Sequence, residues 1–225
     1  MVAVFTLEEV SVRRGQALLL DSVGIEIRAG SCTALVGPSG AGKSTLLRLL
    51  NRLGEPTGGR VLLHGRPLPE FDVLALRRRV GLVAQAPTLL TERVLDDLRV
   101  GRQELTEDEA AKLLERVGLP DSMLERPTAG LSGGEAQRVC LARTLAVKPE
   151  VLLADESTSA LDPASTAAVE AVFKQLAADG MTVVLVSHDA AQARRIADEA
   201  VVLTAGRLVE HGPVAQVAYL QGDAV

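Results

Sequence analysis

The sequence predicts an α/β fold with a mixed β-sheet core, an N-terminal antiparallel β region and an inserted helical subdomain. The N-terminal stretch reads as two strands rich in Val, Leu and Ile, separated by a glycine turn. Strand and helix patterns then alternate up to residue 85 and again after residue 150, which favours a sheet covered by helices. Only helical patterns occur between these segments. We therefore expect a single domain over residues 1–225, with an α/β lobe at 1–85 and 150–225 and a helical subdomain at 86–149.

The first α/β segment contains five predicted strands and two predicted helices. A run of leucines between residues 46 and 53 forms one apolar helical face, and Gly54 is expected to end that helix. A second helix is predicted over residues 71–79. The five strands are predicted at residues 2–12, 17–27, 34–36, 60–65 and 80–85.

The second half of the chain begins with three helical patterns and then returns to alternation. The helical patterns lie at 91–98, 105–119 and 134–146, and the second of them starts with a capping box from Thr106 to Glu109. The later elements are two continuous apolar strands, two helices, a hairpin and a short final helix. The strands are predicted at 151–155 and 182–187, the helices at 163–178 and 190–197, and the hairpin at 200–212, with the short helix after it.

Composition argues against nucleic acid or an anionic membrane surface as the main partner. The net charge is −5, aromatic residues are 2% and Trp is absent, so both basic patches and stacking platforms are scarce. No apolar run approaches the roughly 18–20 residues that cross a bilayer, and no basic region precedes an apolar stretch at the start. We expect a cytoplasmic chain, with Cys32 and Cys140 as buried thiols that bind no metal.

A glycine-rich loop follows the strand predicted at residues 34–36. It reads GPSGAGKST and satisfies G-x-x-x-x-G-K-[ST], the P-loop pattern of nucleotide-binding enzymes. Bare backbone lets several N–H groups converge on a polyphosphate, and the following helix start adds a positive dipole end. Lys43 is expected to reach the β- and γ-phosphates and the Ser44 hydroxyl to bind Mg²⁺. The predicted ATP-binding residues here are Gly37, Pro38, Ser39, Gly40, Ala41, Gly42, Lys43, Ser44 and Thr45.

Two carboxylates follow the apolar strand VLLAD. Asp155 ends this strand, and the sequence places it beside the phosphate loop as a second Mg²⁺ residue. Glu156 is predicted to be the base that orients and deprotonates the attacking water. Gln85 and His188 each close another predicted strand at the same sheet edge. Gln85 can touch Mg²⁺ or the water and His188 can bond the γ-phosphate, although each could also be an ordinary polar strand end.

A second serine–glycine stretch, LSGGEAQR, begins the helix predicted from residue 134. Ser132 is a plausible N-cap, and the following bare N–H groups form another anion site. One nucleotide does not need two such cradles. A head-to-tail dimer resolves this, because each chain then offers Ser132, Gly133, Gly134 and Glu135 to the nucleotide of the other chain. The alternative is an ordinary capped helix.

Together, these motifs resemble ABC transporter ATP-binding subunits over essentially the whole chain. The resemblance rests on GPSGAGKST, Gln85, LSGGEAQR, VLLADE, SALD and His188, in that order and spacing. It implies an ATP-dependent dimer of like subunits that drives integral membrane permease subunits from the inner face of the membrane. It also implies that the helical subdomain and the segment 86–98 dock the permease, and that Asp162 links the two sites across the dimer.

Three positions depart from the family pattern. Arg14 stands where an aromatic residue usually stacks on adenine, and a guanidinium plane can also stack on a base. Glu135 replaces the common Gln of the signature, and Ser157 replaces a usual Pro. Neither of the latter two touches the groups expected to do the chemistry.

The transported substrate is indicated only by finer resemblance. Residues 51–65 and 72–90 look most like small bacterial iron-efflux and plant aluminium-tolerance ATPases, which favours export of a metal such as iron. Residues 140–166 are also similar to phosphate-import ATPases, so import of phosphate or another solute stays open. Two further alternatives are a soluble ABC ATPase without a transport role and a module that binds ATP without hydrolysing it.

Overall fold

A computed structural model describes residues 2–222 of the chain. Its strands form one antiparallel sheet and one mixed sheet, which together confirm the predicted fold class. The strands are β1 (Ala3–Arg14), β2 (Ala17–Arg28), β3 (Cys32–Val36), β4 (Gly58–Leu63), β5 (Arg66–Pro67), β6 (Val80–Val83), β7 (Val151–Asp155), β8 (Thr182–Val186), β9 (Glu199–Thr204) and β10 (Arg207–Pro213).

The antiparallel sheet has the strand order β2-β1-β4-β5. It contains the two predicted N-terminal strands, of which β1 runs two residues beyond the predicted end. The mixed sheet has the order β10-β9-β3-β8-β7-β6. Its neighbours from β9 to β6 are parallel, and only the hairpin β9–β10 is antiparallel. Parallel strands bring their carboxyl ends to one edge, so the loops after β3, β7 and β8 lie side by side.

The helices cover this mixed sheet. They are α1 (Lys43–Leu49), α2 (Val73–Arg79), α3 (Val94–Arg99), α4 (Glu107–Arg116), α5 (Gly133–Ala146), α6 (Pro163–Ala178), α7 (Ala190–Ile196) and α8 (Ala218–Gln221). The helices α3, α4 and α5 all occur between β6 and β7, which are neighbours in the sheet. The helical stretch is thus an insertion between two paired strands. No helix within residues 2–222 is both long enough and apolar enough to cross a membrane.

The mixed sheet separates two hydrophobic cores because successive strand residues point to opposite faces. In β8, Val183 and Leu185 face the core beneath α3, α4, α5 and α6, whereas Val184 and Val186 face the core shared with α1 and the antiparallel sheet. All five residues of β3, β7 and β8 are buried, as their continuous apolar runs predicted. The site at the strand ends therefore stands on a support that is packed on both sides.

Several predicted element boundaries differ from the observed ones by a few residues, and the ends of α1, β6 and β8 are the clearest examples. The helix α1 ends at Leu49 and not at Gly54, because Arg52 adopts φ 55° and Leu53 N bonds Arg48 O at 2.9 Å, which closes the helix as a Schellman turn. Strand β6 ends at Val83 and β8 at Val186, so Gln85 and His188 each lie two residues beyond a strand rather than closing it.

Candidate functional site

The glycine loop joins β3 to α1 and needs glycine at both of its ends. A Cβ on Gly37 would lie 2.0 Å from Leu203 O, and one on Gly42 would lie 2.6 Å from Leu19 O. Both residues also have positive φ, 135° and 99°. The loop backbone is therefore fixed against β2 and β9 by contacts that no side chain permits. Between these ends, Pro38, Ser39 and Gly40 are exposed.

Lys43 is the first residue of α1, and its ammonium group folds back beneath the loop. The side chain is nearly fully buried, and Nζ donates hydrogen bonds to Gly37 O at 2.8 Å and Pro38 O at 2.9 Å. Burial lowers the pKa of Lys43, while the carboxylates of Glu156 and Asp155 act in the opposite direction. Nζ also lies 3.4 Å from His188 Nδ1. The cation is thus held between the loop and the groups that follow β7 and β8.

Ser44 and Asp155 meet directly. The Ser44 hydroxyl donates to Asp155 Oδ1 at 2.6 Å, and Arg48 Nη2 contacts Asp155 Oδ2 at 3.1 Å. Asp155 is only 5% exposed, so its carboxylate depends on these two partners. The sequence analysis missed Arg48, although its place one helical turn after Ser44 is a signal that could have revealed it.

Glu156 lies at the centre of the remaining predicted residues. Its Oε1 contacts His188 Nε2, and its Oε2 accepts a hydrogen bond from Gln85 Nε2 at 3.2 Å. Glu156 has φ 50°, a left-handed conformation that costs a non-glycine residue about 1–3 kcal/mol and persists only where its surroundings enforce it. The contacts with Gln85 and His188 hold the carboxylate in that conformation.

Part of this set lines one cavity of about 310 Å³, whereas the predicted residues Gly37, Pro38, Gln85 and Asp155 are not among its lining residues. The glycine loop lines one side of the cavity, and Glu156 and His188 complete the lining. Leu19, which was not a predicted site residue, also lines it. The lining residues are Leu19, Ser39, Gly40, Ala41, Gly42, Lys43, Ser44, Thr45, Glu156 and His188. Arg14 is exposed at the end of β1 and is not among them.

The second serine–glycine stretch forms the start of α5, away from this lining. Ser132 Oγ accepts from Glu135 N, and Glu135 Oε2 accepts from Ser132 N at 2.8 Å, so the predicted N-cap is part of a full capping box. These bonds lower the pKa of Glu135. The two glycines differ: Gly133 is exposed, whereas a Cβ on Gly134 would lie 2.2 Å from Ser165 Oγ. The close approach of α6 therefore requires glycine at position 134 for packing, apart from any role in binding nucleotide.

The residues present fit a polyphosphate and a magnesium ion. The exposed loop amides, the buried Lys43 cation and the glycine-only contacts form a cradle for an anion. Ser44, Asp155 and Gln85 supply hydroxyl, carboxylate and amide oxygens, the ligand types that Mg²⁺ prefers. Within residues 2–222 there is no cluster of three His, Cys, Asp or Glu residues suited to a metal.

Comparison with known proteins gives consistent matches. The family model described as "ABC transporter" matches residues 20–159. Protein STAR1 of Oryza sativa subsp. japonica is 46% identical over 92% of this chain and 61% of its own length. The methionine import ATP-binding protein MetN of Xanthomonas oryzae pv. oryzae is 43% identical over 92% of this chain and 65% of its own length. The phosphate import ATP-binding protein PstB of Pyrobaculum aerophilum is 42% identical over 96% of this chain and 93% of its own length.

The chain therefore spans less than two thirds of the STAR1 and MetN chains, but nearly all of PstB. Among solved structures, cbiO1 from Clostridium perfringens, part of the ABC transporter complex cbiONQ, has a TM-score of 0.89 at 27% identity, covering 99% of this chain and 93% of that one. A dimeric ATP-binding cassette in a post-hydrolysis state with ADP and Pi has a TM-score of 0.82 at 29% identity, covering 93% of this chain and 98% of that one.

Proposed function

Because this chain belongs to the ABC transporter family, we propose that it is the ATP-hydrolysing subunit that powers a membrane transporter. The observation that carries the proposal is the meeting of Lys43, Glu156 and His188 around the cavity at the glycine loop. A polyphosphate binder alone needs only the loop and the lysine. A carboxylate held opposite the lysine adds a group that can activate water.

Each side chain has a distinct role in this proposal. Lys43 and the loop amides hold the β- and γ-phosphates, and Ser44 and Asp155 hold Mg²⁺, which neutralises charge on the phosphates. Glu156 orients and deprotonates the attacking water, and His188 holds the γ-phosphate. Gln85 contributes to the Mg²⁺ site or orients the water. Its hydrogen bond to Glu156 holds it beside the proposed base. Arg14 stacks on adenine from the tip of the β1–β2 hairpin.

The proposal includes an ATP-dependent dimer of like subunits. Ser132 and Gly133 are exposed at the start of α5, while the nucleotide cradle of the same chain is lined by other residues. In a two-fold arrangement the start of α5 covers the nucleotide bound to the opposite chain. Asp162, which caps α6 close to Gly134, links the two sites in that dimer. The dimeric cassette with ADP and Pi supports this part.

We further propose that residues 86–149 form the subdomain that docks permease subunits at the inner face of the membrane, chiefly through 86–98. Leu90 in this segment is a large apolar residue that is 58% exposed. The match to part of the cbiONQ transporter complex supports a permease partner. Pull-down from solubilised membranes tests it, since a transporter subunit recovers an integral membrane protein and a non-transport ATPase does not.

For the substrate, we propose export of a metal such as iron, supported by the likeness of residues 51–65 and 72–90 to iron-efflux ATPases. The second candidate is import of phosphate or another solute. The specific observation in its favour is the phosphate import relative, which this chain matches over 93% of that relative's length. Transport assays with the recovered permease separate the two by direction and by substrate.

Replacement of Glu156 by Gln tests the catalytic proposal. The amide keeps the side-chain size but cannot accept a proton, so we expect hydrolysis to fall by about 10²–10⁴-fold while ATP binding persists. Phosphate release and equilibrium ATP binding are measured on the purified chain. Glu107, exposed on α4, provides the matched control, Glu107→Gln, which should keep wild-type turnover. Wild-type turnover in Glu156→Gln would exclude Glu156 as the base.

A further inference from the structure

A buried glutamine, Gln192, ties the loop after β7 to the helix after β8. Gln192 lies in the first turn of α7 and is 7% exposed. Its amide nitrogen donates one hydrogen bond to Thr158 Oγ1 at 2.8 Å and another to Glu170 Oε1 at 3.0 Å. A primary amide has two N–H donors, so both are used. The side chain of Gln192 therefore joins α7 to both the loop after β7 and α6.

Glu170 anchors this glutamine. It projects from α6, is 8% exposed, and forms a two-pronged ion pair with Arg195, with Nη2 at 2.7 Å from Oε1 and Nε at 3.2 Å from Oε2. Two parallel bonds to a carboxylate fix geometry better than one. The acceptor for Gln192 is thus held in place by α6 and by the last turn of α7.

The group that Gln192 holds belongs to the loop of the predicted base. Thr158 is two residues beyond Glu156, whose backbone φ of 50° needs enforcement by its surroundings. On the other side of the same loop, Gln85 Nε2 donates to Glu156 Oε2 at 3.2 Å and to Ser159 Oγ at 3.3 Å. The loop is therefore held between two glutamine amides.

Packing on this side of the loop is incomplete, because a cavity of about 250 Å³ lies beside it. Its lining includes Glu156, Thr158, His188 and Gln192. Side chains that face a cavity lack partner atoms on one side and have fewer constraints on their position. The hydrogen bond from Gln192 to Thr158 is the tie that crosses this region to α7.

We infer that Gln192 is a positioning residue that holds the Glu156 loop in register with His188 during ATP hydrolysis. The inference rests on the proposed ATPase function, since it concerns the geometry of the proposed base. Gln192 is not among the residues that line the cavity at the glycine loop, so we expect it to act on the chemical step and not on nucleotide binding. Its donor chemistry is specific, because Met has the same length but donates nothing.

The variant Gln192→Met tests this directly. We expect kcat to fall about ten-fold, the loss that corresponds to about 1.4 kcal/mol, while the ATP dissociation constant stays within about two-fold of wild type. Gln175→Met is the matched control, since Gln175 is an exposed α6 residue that bonds Asp179 far along the helix, and its kcat should be unchanged. A merely structural role would lower the melting temperature and leave kcat of the folded protein unchanged.

A second variant, Thr158→Val, removes the other partner of the same bond. Thr158 is only partly buried, so this change disturbs the core less. If Gln192 acts through Thr158, each single variant lowers kcat and the double variant lowers it no further. Independent, additive losses, or an unchanged kcat in Gln192→Met, would overturn the inference. Either result leaves the ATPase proposal intact as long as wild type hydrolyses ATP and Glu156→Gln does not.

Discussion

The Ser44 hydroxyl and the Asp155 carboxylate lie 2.6 Å apart, bridging the first turn of α1 and the end of β7. Their residues are 111 positions apart in sequence, and they meet because β3 and β7 flank β8 with parallel direction. Two oxygen groups at this distance beside the phosphate loop are suited to one Mg²⁺ ion. Arg48 balances the carboxylate on the side away from Ser44.

Replacement of Asp155 by Asn should therefore abolish Mg²⁺-dependent hydrolysis while leaving the fold intact. The amide keeps the size and can still bond Ser44, but it lacks the charge that attracts the cation. We expect kcat to fall at least about 10²-fold, a loss of roughly 3 kcal/mol of transition-state stabilisation. A Mg²⁺ titration of phosphate release measures it. Asp121→Asn, at an exposed carboxylate on the helical insertion, is the control, and equal Mg²⁺ dependence in both variants would contradict the assignment.

Replacement of Lys43 should affect ATP affinity and thermal stability to different extents. Burial lowers its pKa, so protonation of this side chain is less favourable in the folded chain than in the unfolded one. Lys43→Met removes that cost together with two hydrogen bonds to loop carbonyls. We therefore expect a small change in melting temperature but a loss of at least about ten-fold in ATP affinity.

The control for Lys43→Met is Lys174→Met at an exposed position on α6, which should leave ATP affinity unchanged. Fluorescent nucleotide binding and thermal unfolding of both variants give the two readouts. The sign of the linkage also predicts a pH dependence: because the folded pKa is depressed, the stability cost is present below the folded pKa and disappears as pH rises through the unfolded pKa. Retained ATP affinity in Lys43→Met would show that the loop amides alone hold the phosphates.

Gly37 should tolerate no side chain. A Cβ there would lie 2.0 Å from Leu203 O, a backbone atom that cannot rotate away, and φ is 135°. We expect Gly37→Ala to destabilise the fold by more than about 2 kcal/mol, within the range of a strained backbone plus a steric overlap. In contrast, Gly212→Ala in β10 meets nothing within 4 Å and should change stability by less than about 0.5 kcal/mol. Chemical denaturation measures both, and similar midpoints would contradict the geometry.

The sequence was sufficient for features that depend on local pattern. The capping box at Thr106, the N-cap at Ser132 and the buried parallel strands all follow from residues close together in the chain, and the structure confirms them. Features that depend on tertiary neighbours were missed. The end of α1 depends on the left-handed Arg52, which donates to Phe71 O at 3.3 Å and accepts from Arg77 Nη2 at 2.6 Å. The position of Gln85 beyond β6 is set partly by Gln137, whose side chain bonds Ala84 O at 3.0 Å.

Gly134, in the LSGGEAQR stretch, is another residue whose surroundings could not be predicted from local sequence. In sequence it is one of two glycines that look equivalent, and both were assigned to the nucleotide. The structure separates them, because only Gly134 lies against Ser165 of α6. The roles of Thr158 and Gln192 are likewise invisible in sequence, since 34 positions separate two side chains that form one hydrogen bond. Contacts of this kind depend on the order of strands in the sheet, which local pattern does not encode.

The proposed dimer predicts a crosslink between two exposed serines. If the start of α5 covers the nucleotide of the opposite chain, Ser132 of one copy lies close to Ser39 of the other. The double variant Ser39→Cys, Ser132→Cys should then form an intermolecular disulfide with ATP bound in a Glu156→Gln background, where slow hydrolysis preserves the closed dimer. Non-reducing gel electrophoresis detects it, and each single-cysteine variant is the control.

The natural cysteines do not interfere with this experiment. Burial, with the nearby Asp198 charge, raises the pKa of Cys32 to about 12, and burial also raises the pKa of Cys140. Because the thiolate is the reactive form and both natural thiols are buried, they react more slowly than the two introduced cysteines, which replace exposed serines. A crosslink that needs ATP and both introduced cysteines places α5 over the opposite nucleotide. A crosslink that forms equally without ATP, or none with ATP, would exclude the nucleotide-sandwich dimer.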